Sequence, residues 1–384
     1  MGERGPLRLP QRQQATHSSR PRSVLVKSIC DGGQLGTALP GPGNTIVSPE
    51  PAHGRTGDAR VIQIQEWAQL SRSEREQVAA LLWSEGDSPA YSARLNGYPR
   101  TGPRFQNYRA WVAVDRGRVL GHVGTIRTRF RTTRGSREVC GISDVVVRPD
   151  ATRRGIATGI LQHALTQAQN EGLTWSMLWT RRSWGAHRAY EKLGFRDIYS
   201  PTTAVRAPSE RAPPRSSRTG VRLRSVRRSD LPWMEGCLAR ATHGRLGFVP
   251  RDANSFRDRT ALGWWALTDY RILVSRRTDL GYLIAPVDRW NVLVREAVVS
   301  SPRSRSRMLD ALGALAGDRW VGVATTTFTR DSAREMRDRG YRLLPSHHAV
   351  LMACPLDRTA GRELPLLRAT TTDKRFSCHR GDMF

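Results

Sequence analysis

Cysteine is scarce in this sequence, and no cysteines have the spacing that a metal centre or a disulfide framework needs. The five cysteines are odd in number and widely scattered, and none forms a Cys-x-x-Cys pair: Cys30, Cys140, Cys237, Cys354 and Cys378. This pattern argues against a disulfide scaffold and against a zinc site. We therefore expect no bound metal and a reducing compartment, the cytoplasm.

Long apolar stretches are also missing. No window contains 18 consecutive apolar residues, so the sequence predicts no transmembrane helix and no membrane partner. Arg4, Arg8 and Arg12 near the start are not followed by an apolar segment, because Lys27 interrupts the short run Ser23–Val26. A secretory signal is therefore not expected.

Lysine is almost absent, although the chain is strongly basic. Only three lysines occur, so 59 of the 62 basic residues are arginine, and the formal net charge is +28. A charge of this size is typical of proteins that bind nucleic acid. A codon bias toward arginine explains the same lopsided ratio, and the arginines are spread along the chain. Nucleic acid is therefore an alternative partner and not the favoured one.

Strand and helix patterns alternate in two successive stretches of the chain. The stretch 59–200 and the stretch 220–356 show the same order of apolar periodicities, and both close on a glycine followed by an aromatic residue, Gly194-Phe195 and Gly340-Tyr341. The alternation of period-2 and helical patterns predicts a mixed α/β fold built by internal duplication. With 384 residues, the chain is long enough for two such domains.

Three further segments lack this periodicity. Residues 1–58 are rich in Gly, Pro, Ser, Arg and Gln, and we expect a disordered extension there. Residues 201–219 contain four prolines and several serines, which indicates a linker. Residues 357–384 are interpreted as an irregular tail.

One motif lies between 145 and 157. A buried strand, Val145–Val147, ends at Pro149, and a helical pattern begins inside the run Asp150–Ala157, which contains Gly155. The unpaired N–H groups and the dipole of a helix N-terminus favour a bound pyrophosphate, and a glycine lets the backbone approach the anion closely. A plain strand-turn-helix with a glycine explains this segment alone equally well.

A second motif follows about 30 residues later and decides between these interpretations. It reads Ala-His-Arg-Ala-Tyr-Glu-Lys-Leu-Gly-Phe over Ala186–Phe195. Together, the two motifs resemble the GNAT superfamily of N-acetyltransferases, whose turn reads Arg/Gln-x-x-Gly-x-Gly/Ala and whose later helix ends in Tyr-Glu-Lys-Leu-Gly-Phe. The resemblance covers most of 59–200. Thr152 departs from the family's Arg or Gln, and Ser183 stands where Asn is common.

The resemblance implies two tandem GNAT-like domains, each a mixed, mostly antiparallel sheet flanked by helices. It also implies that acetyl-CoA is the co-substrate and enters a gap between two parallel strands, here Asp144–Val147 and Trp175–Thr180. The residues that it places at the CoA site are Val145, Val146, Val147, Thr152, Arg153, Arg154, Gly155, Ile156, Ala157, Thr158 and Ser183.

The mechanism that the resemblance implies needs no serine or cysteine nucleophile, because the acceptor amine attacks the thioester directly. A backbone N–H of Val145, Val146 or Val147 polarises the carbonyl. Tyr190 matches the tyrosine that protonates the leaving thiolate, and Asp144 is the candidate for the base. Among the residues themselves, Glu85 and Asp87 in the preceding loop, and Trp179 and Trp184, are candidates for the acceptor pocket.

The second copy lacks these parts. Its turn, Ser300–Arg307, contains no glycine, and Met336 stands four residues before Gly340 where Tyr190 stands before Gly194. A thioether donates no proton, so we expect a silent repeat that shapes the acceptor cleft. The basic charge disfavours polycationic acceptors and leaves a primary amine of a small molecule or a protein.

Two alternatives remain open at this point. One is a non-catalytic module that binds CoA or nucleic acid, and the other is a transferase of a longer acyl or aminoacyl group. The sequence is compatible with a monomer or a homodimer.

Overall fold

A computed structural model describes the chain in ranges that cover most of both halves. The described residues are 45–47, 61–84, 108–208, 220–247, 256, 267–275, 278–299, 301–324, 332–345, 349–373 and 376. Among the helices in these ranges, none has the length and apolar character that a membrane span requires.

The first half alternates strands with three helices. Its elements are β1 (Thr45–Val47), β2 (Val61–Glu66), α1 (Arg72–Trp83), β3 (Tyr108–Asp115), β4 (Arg118–Thr132), β5 (Gly135–Val147), α2 (Ile156–Asn170), β6 (Trp175–Thr180), α3 (Gly185–Lys192) and β7 (Arg196–Tyr199). Helix α1 begins with a capping box, in which Ser71 and Glu74 each accept a hydrogen bond from the other's backbone N–H.

The remaining elements repeat this order. They are β8 (Thr202–Arg206), β9 (Val221–Ser225), α4 (Leu231–Thr242), β10 (Tyr270–Ser275), β11 (Thr278–Ile284), β12 (Asn291–Val294), β13 (Glu296–Val299), α5 (Pro302–Ala316), β14 (Trp320–Ala324), α6 (Ser332–Asp338), β15 (Arg342–Pro345), β16 (Val350–Pro355) and α7 (Arg358–Thr372). The predicted mixed α/β fold with two related halves is confirmed.

The described strands form three sheets. The first has the order β1-β2-β3-β4-β5-β6-β16-β7, the second β13-β11-β10-β9, and the third β12-β14-β8-β15. Most strand pairs are antiparallel, whereas β5 with β6 and β12 with β14 are parallel. Each half therefore contains one parallel pair in an otherwise antiparallel arrangement.

The two halves exchange a strand. Strand β16, from the end of the second half, lies between β6 and β7 of the first, with Val350 opposite Thr180 and Leu351 opposite both Trp179 and Tyr199. Strand β8 lies between β14 and β15 of the second half, with Ala204 opposite both Val323 and Leu343. Neither half therefore completes its sheets from its own contiguous sequence.

This exchange corrects the prediction of a linker over 201–219, because Thr202–Arg206 is a strand of the third sheet. The β-branched residues Thr202, Thr203 and Val205 favour a strand, and the prolines at 201 and 208 lie just outside it, where they remove no ladder hydrogen bond. The prolines therefore bound this strand and do not abolish it.

Two predictions for the ends of the chain are also wrong in part. The predicted irregular tail contains α7, in which Asp357 caps the first turn through the N–H of Ala360 and Ala360 and Leu367 are buried. The predicted disordered extension contains strand β1, which pairs antiparallel with β2. The other residues of the extension lie outside the described ranges.

The first sheet buries both of its faces. Helices α2 and α3 pack on one face with Trp111, Ala113 and Ile142, whereas α1 packs on the other with Val112 and Val114. The alternation follows from the pleat of strand β3, where successive side chains point to opposite faces. Helix α7 covers the face that carries α1, near β16 and β7.

Candidate active site

A gap opens between the parallel strands β5 and β6. Their pairing runs from Val139 opposite Trp175 to Ile142 opposite Leu178 and then stops. Strand β5 continues to Val147 beside β4, and β6 continues to Thr180 beside β16. Over their last residues, β5 and β6 therefore no longer pair with each other, and the edges that face each other are unpaired.

A β-bulge in β5 coincides with the start of this gap. Ser143 lies opposite Gly124 and Val146 lies opposite His122, so Asp144 and Val145 face the single residue Val123. Asp144 has a φ of 49°, in the left-handed region that non-glycine residues seldom adopt. A bulge bends and twists a strand, which accounts for the departure of β5 from β6.

The turn from β5 into α2 is shaped to hold an anion. Gly155 has a φ of 74°, Arg153 has a φ of 65°, and no side chain caps the first turn of α2. A Cβ atom added to Gly155 would meet no atom within 4 Å, so the space above this turn is open. Successive backbone N–H groups around left-handed residues, at a helix N-terminus, form a concave site for phosphate.

The residues predicted to bind CoA are placed around this turn and gap in different ways. Val145, Val147 and Ile156 contact the apolar cluster under α2 and α3, whereas Val146 packs toward α1. The Thr152 hydroxyl donates to the Pro149 carbonyl at 2.9 Å, so that side chain serves the turn itself. Three side chains lie at the surface or partly so, Arg153, Arg154 and Ser183, and two lie half-buried in the first turn of α2, Ala157 and Thr158.

Tyr190 lies in the same apolar cluster, with only 7% of its surface exposed. Helix α3 ends in a Schellman motif, in which the N–H of Phe195 donates to the Tyr190 carbonyl and Gly194 has a φ of 93°. Burial raises the pKa of the Tyr190 phenol above its ordinary value of 10.0. The phenol is therefore protonated at neutral pH and available as a proton donor.

His187 of α3 is buried, and its Nε2 lies 2.8 Å from Asp197 Oδ1. Trp179 and Trp184 are half-buried, Trp179 beside Tyr199 and Trp184 against the cluster of Tyr190. The loop candidates, Glu85 and Asp87, lie outside the described ranges.

The sequence comparison agrees with this geometry. Residues 66–195 match the profile of the Acetyltransferase (GNAT) family, and this stretch contains the gap, the bulge, the Gly155 turn and Tyr190. Residues 66–195 are a GNAT acetyltransferase domain. The GNAT fold supports N-acyltransferase chemistry with an acyl-CoA donor.

Solved structures show the same fold over most of the chain. A GCN5-related N-acetyltransferase from Anabaena variabilis is 14% identical, with a TM-score of 0.58 over 77% of this chain and 73% of that one. A probable N-acyltransferase from Enterococcus faecalis is 12% identical (TM-score 0.55, 82% and 74%). Eis1 from Mycobacterium abscessus is 16% identical (TM-score 0.52, 79% and 76%). A search of curated proteins found no similar sequence.

The buried faces of the helices show which residues of the second half correspond to the GNAT turn. The buried positions Ile156, Ile160 and Leu161 of α2 match Ser304, Met308 and Leu309 of α5 in spacing. Gly155 therefore corresponds to Arg303. In addition, residues 148–155 connect β5 to α2, whereas residues 300–301 alone connect β13 to α5. The second half thus lacks the phosphate turn.

Side chains also occupy the equivalent helix end and the space between the helices. The Ser301 hydroxyl accepts the N–H of Ser304 at 3.1 Å and so caps α5. Arg305 of α5 and Arg339, just after α6, both form ion pairs with Glu335 of α6. Met336, at the position of Tyr190, is fully buried. These features are consistent with a second copy that has no CoA site. The absence of a CoA site from the second copy stays a prediction.

A cavity of about 180 Å³ lies at the opposite end of α2 from the phosphate turn. It is lined by side chains that include Arg109, Trp111, Arg127, Cys140 and Glu171. Its nearest lining residue on α2, Ala164, lies nine residues after Gly155, or about 14 Å along the helix, so the phosphate turn is not part of this cavity. Within the described ranges, no three side chains of the kinds that bind metals come together.

Cys140 in this cavity is expected to be unreactive. Burial raises the pKa of its thiol to about 12, so almost no thiolate is present at pH 7.5. We predict that iodoacetamide at pH 7.5 leaves Cys140 unlabelled in the native protein and labels it after unfolding, as measured by mass spectrometry of the Cys140 peptide. Rapid labelling of the native protein would contradict this prediction and the buried position of the thiol.

Proposed function

We propose that the first half transfers an acetyl group from acetyl-CoA to the primary amine of a small molecule or a protein. The observation that carries this proposal is the end of the β5–β6 pairing at Ile142 and Leu178, beside the bulge at Asp144. The connection 148–155, which contains Gly155, leads from the end of β5 into α2. This arrangement leaves a gap for a chain-like ligand that ends at an anion-binding turn. The second half contributes β16, which pairs with β6 along the edge that faces away from this gap.

The residues present suit acetyl-CoA. Its pyrophosphate would be held by the N–H groups around Gly155, Ile156 and Ala157, with Arg153 and Arg154 adding positive charge at the rim. When bound, acetyl-CoA supplies an activated thioester carbonyl and a thiol leaving group. A backbone N–H among Val145, Val146 and Val147 would orient and polarise that carbonyl.

Two side chains move protons in this proposal. Asp144 removes a proton from the acceptor ammonium, so that the amine nitrogen has a free electron pair. Tyr190 donates its phenolic proton to the departing sulfur. Because burial raises the pKa of Tyr190, the phenol stays protonated to above pH 10. Any loss of activity below pH 10 must therefore come from the titration of another group.

The test of this function uses the Tyr190→Phe variant. We expect wild-type protein to release CoA from acetyl-CoA in the presence of some member of a panel of primary amines. In Tyr190→Phe, we expect kcat to fall about 100-fold or more, because general-acid catalysis contributes that much. The KM for acetyl-CoA should be unchanged, since the phenol acts on the leaving group. A panel of acetyl, propionyl and longer acyl-CoA donors tests the acyl chain length.

Tyr341→Phe in the second half is the matched control. Tyr341 is also buried, and its hydroxyl has no hydrogen-bond partner among the described residues. This change should leave kcat and the thermal midpoint within error of wild type. A Tyr190→Phe variant with wild-type kcat would exclude the acid role, and absence of CoA release with every amine would count against the transferase itself.

A further inference from the structure

The side chain of Tyr108 reaches the bulge across a glycine. Its hydroxyl donates to Asp144 Oδ2 at 2.9 Å, from β3 across β4 to β5. A Cβ atom on Gly124, in β4 between them, would lie 2.3 Å from the Tyr108 hydroxyl oxygen. Gly124 is therefore required for this contact. A glycine inside a strand often marks such a close approach, which is the one signal in the sequence that points to it.

The backbone of the bulge is fixed independently of the carboxylate. His122 is fully buried, and its Nδ1–H donates to the Asp144 carbonyl at 2.8 Å. This bond holds the residue in its left-handed conformation, while Tyr108, itself 8% exposed, holds the carboxylate. Tyr108 and His122 are both titratable, and both contact Asp144.

The second copy provides an internal comparison. Val147 pairs with Gly121 and Val299 pairs with Gly281, and an acidic residue stands three positions before each valine: Asp144, in the bulge of β5, and Glu296, which pairs regularly with Ile284. Glu296 also accepts a hydrogen bond from a phenol, that of Tyr282, at 2.6 Å. Glu296 and Tyr282 are both fully buried, whereas Asp144 is partly exposed. Both halves thus hold a carboxylate with a tyrosine, and only the first half leaves it accessible.

We propose that Tyr108 is a positioning residue, which holds the Asp144 carboxylate ionised and aimed at the acceptor nitrogen. This inference rests on the proposed acyltransferase function. In the proton transfer, one N–H bond of the acceptor ammonium breaks and one O–H bond forms on the Asp144 carboxylate. The neutral amine then attacks the thioester carbon, the C–S bond breaks, and the sulfur takes the Tyr190 proton. The second proton lost by the nitrogen restores the Tyr190 phenol, and Asp144 returns its proton to water.

Two variants test this role by removing the same hydrogen bond in different ways. Tyr108→Phe deletes the hydroxyl, and Gly124→Ala displaces the ring through its new methyl group. For both, we expect kcat to fall about 10-fold or more, with an unchanged KM for acetyl-CoA. The acidic limb of the kcat profile should move to higher pH by about one unit, because a hydrogen bond to the charged carboxylate lowers its pKa.

A readout without turnover completes the test. Carbon-13 NMR of selectively labelled aspartate carboxyl groups, with Asp144 assigned from an Asp144→Asn spectrum, should show a higher pKa for Asp144 in Tyr108→Phe than in wild type. An unshifted pKa in a folded Tyr108→Phe variant would overturn the proposal. If Tyr108→Phe lowers the thermal midpoint but moves neither the acidic limb of the kcat profile nor the pKa of Asp144, the role of Tyr108 is purely structural, and the proposal is wrong.

The two levels of the proposal fail in distinguishable ways. If Asp144→Asn keeps wild-type kcat while Tyr190→Phe loses it, the protein is an acyltransferase, but Asp144 is not the base and the positioning role of Tyr108 falls with it. If Asp144→Asn loses activity while Tyr108→Phe and Gly124→Ala keep both the activity and the acidic limb of wild type, Asp144 remains the base, but Tyr108 does not position it.

Discussion

A chain truncated after Ala349 should neither fold cooperatively nor transfer an acyl group, although it keeps Asp144, Gly155 and Tyr190. The truncation removes β16, so β6 and β7 lose the strand between them. Val350, Leu351 and Met352 are each at most 1% exposed. Their burial contributes about 5–9 kcal/mol, which is comparable with the whole stability of an ordinary domain.

Thermal unfolding followed by circular dichroism, together with CoA release, measures this effect. A chain truncated after Cys378 is the control, because it keeps β16, α7 and Phe376, which contacts Phe130 and Tyr199. This control should unfold and react as wild type does. A fragment of residues 59–200 that melts cooperatively and turns over acetyl-CoA would show that the strand exchange is dispensable for the GNAT domain.

The second large effect concerns the turn at Gly155. We expect Gly155→Trp to lower the affinity for CoA at least 100-fold in isothermal titration calorimetry. The indole would occupy the open space above the turn, where no atom lies within 4 Å of a Cβ. The φ of 74° adds backbone strain for any residue other than glycine. Gly155→Ala separates the two contributions, because it adds the strain with little bulk.

The matched control for this change is Arg303→Trp. Arg303 is the counterpart of Gly155 by the buried spacing of α5, and it is exposed. We expect it to leave CoA affinity unchanged. The next residue, Ser304, is only 4% exposed, so a tryptophan there would disturb folding and would not test binding. Equal loss of affinity in Gly155→Trp and Arg303→Trp would contradict the presence of a single CoA site.

The parts of the site that the sequence predicts are those with local signals. The Gly155 turn follows directly from a strand and precedes a helix, and the Tyr190 helix carries its own C-terminal glycine. Both motifs lie within contiguous stretches, and both stretches fold as the spacing predicts. The functional roles of these residues stay predictions, because they depend on a ligand and not on the fold.

The parts that the sequence does not predict depend on contacts between distant residues. No local pattern shows that Val350 pairs with Thr180 or that Ala204 pairs with Val323, since strand propensity is the same for any partner. The pairing of Tyr108 with Asp144 needs the register of three strands. The burial of His187 on α3 likewise depends on a partner in another element, since its Nε2 lies 2.8 Å from Asp197 Oδ1 in β7.

The exchange of β8 and β16 also sets the order in which the protein can mature on the ribosome. At about 5–20 residues per second, the roughly 150 residues between β7 and β16 take about 8–30 s to synthesise. During that interval, β6 and β7 have emerged but cannot pair with β16, and their edges are exposed to other chains. The sheet of the first half therefore becomes complete only after residue 355 has been synthesised.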